Sequence, residues 1–216
     1  MRGATIRVLL AALLAAASAK SLQGQEIVDR IVARVENDII LLSNISLLSR
    51  YQQFVDGKQE TEAQILDRLI DQWIVRTEAE VAHFPHPSEA DIDRGLLRLQ
   101  KSFPSTEEYE ARKKQIGLSD PEIRGMVAAQ TYFSNYLDSR FRPGVQVDPK
   151  AIEDFYQTAV LAVAKARGQE APSLDAARDS IQEALVQRGI NDQADRWLKE
   201  SRLRLHVEKL LDEGAK

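Results

Sequence analysis

The chain has 216 residues, 44% of them hydrophobic, with 29 basic side chains against 33 acidic ones and a formal charge of −4. That balance argues against nucleic acid as a partner, because such binders carry a basic stripe. Cysteine is absent, so no disulfide holds the fold, and a chain of this size, able to bury roughly 70% of its unfolded surface, relies on its core instead.

Residues 1–19 read as a secretory signal. Arg2 and Arg7 give a positive start, residues 8–17 are apolar, and Ala17-Ser18-Ala19 fits an A-x-A cleavage site. An uncleaved anchor is the alternative, although the apolar run has about half of the ~20 residues that a spanning helix needs. Cleavage starts the mature chain near Lys20 and, by removing Arg2 and Arg7, leaves 27 of the 29 basic residues against 33 acidic. The expected product is exported and not inserted in a membrane.

Residues 31–35 alternate in the manner of a strand with one buried face, Glu36-Asn37-Asp38 supplies a turn, and residues 39–42 form a second short apolar strand. Ser43 is the expected cap of the first helix, which carries Ile45, Leu48, Tyr51 and Val55 and stops at Gly57. Thr61 with Gln64 opens a helix to about residue 82, with Leu66, Leu69, Ile70, Trp73 and Ile74 on one stripe. Pro85 and Pro87 end it. Ser88 with Asp91, Ser105 with Glu108, and Ser119 with Glu122 mark three more helix starts; Gly117 stops the second of these, and the third runs to just before Pro143. Asp148-Pro149 begins a further helix to about Arg167, followed by a loop. Ser173 caps the next helix, Gly189 is expected to close it in the left-handed conformation, and Asn191 to cap a last one. Residues 203–207 alternate apolar and polar, which fits either a third strand or the final helical turns. A lone hairpin is marginal in water, so the first two strands need helices or a third strand.

Chemistry-bearing clusters are few. His83 and His86 stand three apart, but Pro85 and Pro87 deny them a shared helix face, so they read as a surface turn and no metal is expected. Asp91, Asp93, Glu107, Glu108 and Glu110 fall in first helical turns, where negative charge complements the helix dipole. No Gly-x-Ser-x-Gly turn or glycine-rich phosphate loop occurs. No catalytic residue and no cofactor is expected. The aromatics stand out more. Phe103, Tyr109, Tyr132, Phe133 and Tyr136 are the candidate binding residues, since the last three cover more of one helix's girth than a single buried face requires. They are either buried on two sides or line a groove for extended apolar segments. Trp73 and Trp197 are expected in the core, fastening the two ends of the chain.

The order of these parts resembles the SurA-type periplasmic chaperones. The run VDRIVARVENDIILLSNI at 28–45 resembles the opening of that family's N-terminal domain. Ile65-Leu66-Asp67-Arg68-Leu69-Ile70 with Trp73-Ile74 resembles its second helix, and the starts at residues 87–92 and 118–123 resemble later ones. Residues 147–152 with Phe155-Tyr156 resemble the passage into a parvulin-type prolyl isomerase, and residues 194–210 the returning C-terminal helix and strand. The resemblance spans nearly all of residues 26–211. One departure is large: where the family inserts isomerase domains, this chain has only the 16 residues 157–172, against the roughly 50 that a domain needs.

The expected fold is therefore mainly α, a SurA-like helical core at 25–142 with a small two- or three-stranded sheet joining the N- and C-terminal segments. Residues 143–172 form an arm and 173–216 pack back on the core. The resemblance implies a periplasmic holdase that binds unfolded outer-membrane protein precursors, or other extended apolar polypeptides, through an apolar groove without ATP or isomerase activity. A structural adaptor docking one folded envelope partner is the alternative, and a homodimer with exchanged arms is left open.

Overall fold

In the structure, a computed structural model that describes residues 29–211, strand β1 (Ile31–Val35) turns at Glu36 and Asn37 into β2 (Asp38–Leu41). The signal expected at 1–19 lies outside the described residues. The turn is one residue shorter than expected. Asp38 joins β2 opposite Val35, and Glu36 takes the left-handed backbone, with φ 52°. A register shift between Ile31 and Ala33 puts a bulge in the pair.

Helix α1 (Leu42–Asp56) follows β2 without a break, which corrects the expected cap. Ser43 lies inside the first turn and donates its N–H to Asp29 Oδ1 at 3.2 Å, while Asn44 Oδ1 accepts the Leu41 N–H at 2.9 Å. The other expected starts hold. Thr61 caps α2 (Glu62–Val81), Ser88 caps α3 (Glu89–Lys101), Ser105 caps α4 (Thr106–Ile116) and Ser119 caps α5 (Asp120–Phe141). Each Ser or Thr oxygen accepts an otherwise orphaned N–H three residues on. Gly57 and Gly117 end α1 and α4 in the left-handed region that β-carbons avoid. Gly95 is needed for a different reason. A Cβ there would sit 2.6 Å from Val127 Cγ1, so its absence lets α3 lie close on α5.

A 3₁₀ turn (Arg142–Gly144) leads to the arm: α6 (Pro149–Phe155), a π-helical stretch (Tyr156–Val160) and α7 (Leu161–Ala166). The arm turns back at Pro172, whose carbonyl accepts the Tyr156 hydroxyl at 2.7 Å. Helix α8 (Leu174–Arg202) then runs unbroken, so the expected stop at Gly189 and cap at Asn191 are corrected. Gly189 is an α-helical residue whose missing Cβ makes room for Val145; a Cβ would meet Val145 Cγ1 at 2.6 Å. The glycine serves packing, not termination.

After a turn at residues 203–205 comes β3 (Val207–Lys209), antiparallel to β1, so the sheet order is β2-β1-β3. The third strand exists but starts later than the alternation suggested, because Arg204 and Leu205 bond back to Ser201 and Arg202. The protein is mainly helical with a small three-stranded antiparallel sheet. Pairing of β3 with β1 joins the first and last described segments, and α2 fastens the returning one: Arg202 donates to Asp71 Oδ1 at 2.7 Å and to the Asp67 carbonyl at 2.8 Å, and Lys209 pairs with Asp67 at 2.7 Å. The sheet, α1 and α2 enclose the main core around Val32, Val35, Leu48, Ile65 and Leu66. The arm has a small core of its own, Ile152 against Ala177 and Ile181.

Candidate functional site

Beside the edge of β2 the helices leave a cleft of about 490 Å³. Its floor is apolar. Ile40 and Leu48 come from the buried faces of β2 and α1, and Leu69 and Trp73 from α2. Met126, Ala129 and Phe133 of α5 form the opposite wall, closed at one end by Ile92 of α3. Asn44, Gln72, Arg76, Glu80 and His86 stand among these residues as the polar groups. Leu69, Trp73, Arg76 and Glu80 recur at helical spacing, so α2 shows the cleft one continuous stripe next to its buried one.

The five candidate aromatics part company here. Tyr132 and Phe133 line the cleft. Tyr132 is 5% exposed, its hydroxyl reaches the Phe84 carbonyl at 3.4 Å, and the His86 ring stacks on it at 4.6 Å between centroids. Burial pushes the Tyr132 hydroxyl pKa up. Tyr136, one turn on, shares a buried cluster with Tyr132 and Phe84 but does not line the cleft; it meets Phe84 edge to face at 5.5 Å, and its hydroxyl accepts from Arg140 at 2.9 Å. Phe103 and Tyr109 are core residues. With Phe54 they form a closed trio with centroids 5.0 to 5.2 Å apart. Phe103, Tyr109 and Tyr136 are thus buried, and of the five only Tyr132 and Phe133 line the cleft.

Trp73 is placed differently from the expected core position. It packs on the main core, but its Nε1 donates to Asp38 Oδ2 at 2.7 Å and the indole faces the cleft. Trp197 does pack between the sheet core and the Tyr132 cluster, under the Arg140 guanidinium at 4.8 Å. Ile39, Gln72 and Met126 were not among the binding residues expected from the sequence. The only signal for Ile39 was its place outside the alternation of β1, in an apolar run that continues into a helix.

Two smaller hollows flank the fold. One, of about 480 Å³, lies over Tyr109 and Ile123 and is rimmed by Lys113, which pairs with Glu110 at 2.6 Å and Asp120 at 2.8 Å. Those two carboxylates hold the Lys113 pKa well above its ordinary value. The other, of about 380 Å³, lies on the arm between Phe155, Val160, Val163 and Pro172. His83 and His86 sit in the turn after α2, where His83 has φ 52°. Among the described residues no group of three or more His, Cys, Asp or Glu could hold a metal ion, and no helix is long and apolar enough to cross a membrane.

No protein-family model matches the sequence, and no curated protein matches it.

Proposed function

We propose that the protein is a periplasmic holdase: it binds extended apolar segments of unfolded outer-membrane proteins in the cleft between β2, α2 and α5, and releases them without ATP. The observation that carries this reading is the cleft itself. Some 490 Å³ of open space is walled by Leu69, Trp73, Met126 and Phe133 and edged by side chains of both charges. Such a site offers apolar area to many sequences and fixed chemistry to none. Large flat rings and a flexible methionine adapt to different side chains at low entropic cost. The order of helix starts, which resembles that of SurA-type chaperones, and the signal-like residues 1–19 support export and the class of client.

The test is light scattering from a urea-denatured outer-membrane β-barrel protein diluted into buffer. The expected result is slower aggregation with the purified protein at micromolar amounts, and loss of that effect in the Trp73→Ala/Phe133→Ala double variant. Undiminished scattering at every ratio up to excess overturns the reading. Photoreactive side chains at Trp73 or Phe133 should crosslink diverse unfolded chains in cells; a single folded partner in stoichiometric yield would instead favour an adaptor.

A further inference from the structure

The sheet beside the cleft is open on one side, and its hydrogen-bond register says which groups are free. Glu36 donates its N–H to the His206 carbonyl at 3.0 Å, and the Val32 carbonyl accepts from Leu210 at 2.8 Å. Residues 32 and 34 of β1 and Glu36 just after it alternate, so the main chain of Arg34 also turns toward β3, where it faces Glu208. Across the other pair, Arg34 stands opposite Ile39. A residue's N–H and C=O point to the same side of an antiparallel strand, so this is a non-bonded pair of the β1–β2 ladder. The N–H and C=O of Ile39 therefore point out of the sheet, away from β1.

The next outward group confirms the pattern. Leu41 N–H also leaves the ladder, and Asn44 Oδ1 takes it at 2.9 Å. Nothing in the described residues does the same for Ile39, outside the ladder or from a side chain. Its side chain is 52% exposed and lines the cleft together with Ile40. The side chain of Gln72, on the facing helix, makes no hydrogen bond either.

The geometry points to strand addition: an extended polypeptide in the cleft pairs antiparallel or parallel with the outer edge of β2, exchanging two main-chain hydrogen bonds with Ile39 while Gln72 meets a further backbone amide. This rests on the cleft being the client site, as proposed above, and names the form in which the client is held. A lipid tail or a small apolar molecule offers no matched donor and acceptor, whereas a peptide laid in an apolar cleft must find partners for its own N–H and C=O groups. An edge strand supplies them without reading sequence, and side-chain pockets beside it take what the strand presents. The edge is short: Asn44 blocks it at Leu41 and the hairpin turn ends it at Asn37. That limits pairing to one residue and keeps two copies of the protein from zipping together along it.

The experiment uses the full chain and a short fluorescein-labelled, unstructured peptide rich in Val, Thr and Tyr, read by anisotropy. Ile39→Pro removes the outward N–H but none of the β1–β2 bonds, and proline is tolerated on an edge at such a position. It should weaken binding about tenfold, while Ile39→Val, which keeps the N–H and an apolar side chain, should stay within about twofold. A second version of the peptide carries an N-methyl group on every amide, so that no register offers Ile39 a donor. It should bind about tenfold more weakly than the parent, and this result does not depend on any variant folding. Equal binding of the parent and the methylated peptide, with Ile39→Pro also binding like the parent protein, overturns strand addition while leaving the cleft as a client site. A parent peptide that fails to bind at all overturns the cleft reading and this one together.

Discussion

Two aromatic groups of this protein have similar composition, yet one closes on itself and the other, although Tyr132 is just as buried, borders an open cleft. Phe54, Phe103 and Tyr109 come from α1, from the bend after α3 and from α4, and they close on one another with all three under a tenth exposed. Trp73, Tyr132 and Phe133 come from α2 and α5 and leave an open cleft. The difference lies in how many elements surround each group. Tyr132 and Phe133 are sequence neighbours, so their side chains leave α5 about 100° apart and one packing partner cannot cover both. Their ring centroids are 6.4 Å apart, and Phe133 stays partly exposed on the cleft wall. Aromatic content alone does not mark a binding surface here; what does is that α8 covers α2 and α5 on one side and leaves the cleft side uncovered.

The sharpest way to break this comparison is to hollow out the closed group. Phe54 is fully buried, so Phe54→Ala should cost about 3–5 kcal/mol, read from urea unfolding. Whatever fraction remains folded should still hold clients, because no atom of Phe54 lines the cleft. A cost below about 1 kcal/mol would mean that the trio is not a packed core.

Next in size is the contact that sets the separation of α3 from α5. Gly95→Ala pushes a methyl group against Val127 Cγ1, a short branched side chain with little room to swing aside. The expected cost is about 1–3 kcal/mol. Because Ile92, one turn earlier on α3, closes the end of the cleft, the same change should also alter client holding. Unchanged stability would show that the two helices can separate freely.

Trp73→Ala should reverse the ratio of the two effects. The indole is partly exposed and makes one hydrogen bond, to Asp38, so the stability cost should be about 1–2 kcal/mol. Protection against aggregation should fall much further. Trp73→Phe keeps apolar area and loses only the Asp38 bond, so it should retain most of the protection. If Trp73→Ala and Trp73→Phe are equally protective, the wall of α2 is not where clients bind.

The sequence carried the helices well because their starts are chemical: a Ser or Thr oxygen and an acid or amide three residues later form a local bond that needs no tertiary context. It misjudged Ser43 and Asn191, which also bear capping side chains. In both places a continuous chain path, from β2 into α1 and through α8, overrides local preference. Gly189 misled for a related reason. A glycine that ends a helix and one that admits a neighbour look alike until Val145 is placed beside it. The cleft was legible only in part. Tyr132 and Phe133 stood out by crowding one helix, but Ile39 matters through the direction of its main chain, which depends on register with Arg34 and, through it, on β3 some 170 residues away.

The smallest effect concerns how α5 holds its end of the open wall. Glu122 accepts from the Ser119 N–H and hydroxyl, both at 2.7 Å, and from Arg50 at 2.8 Å. These bonds, the Ser119 backbone first, bring its carboxyl down to about 2. A carboxylate whose pKa is lowered by folding stabilises the fold above its unfolded value of 4.5, and that contribution fades as pH falls from there toward 2. Arg50 and Glu122 are each about a third exposed, at 33% and 32% of the side chain, so water screens the pair and its worth at neutral pH is under about 1 kcal/mol. Glu122→Gln should therefore lower neutral-pH stability only slightly and flatten the acid side of the stability profile between pH 4.5 and 2. Glu183 of α8, held near 2 chiefly by Arg142 just past the far end of α5, titrates over the same window. Glu122→Gln alone should flatten the profile in part, and Glu122→Gln/Glu183→Gln more fully. Urea midpoints measured across that range decide it. A profile as steep in the double variant as in the parent would mean that neither end of α5 is fastened by these carboxylates, and that the cleft wall owes its position to the packing of α5 against its neighbouring helices.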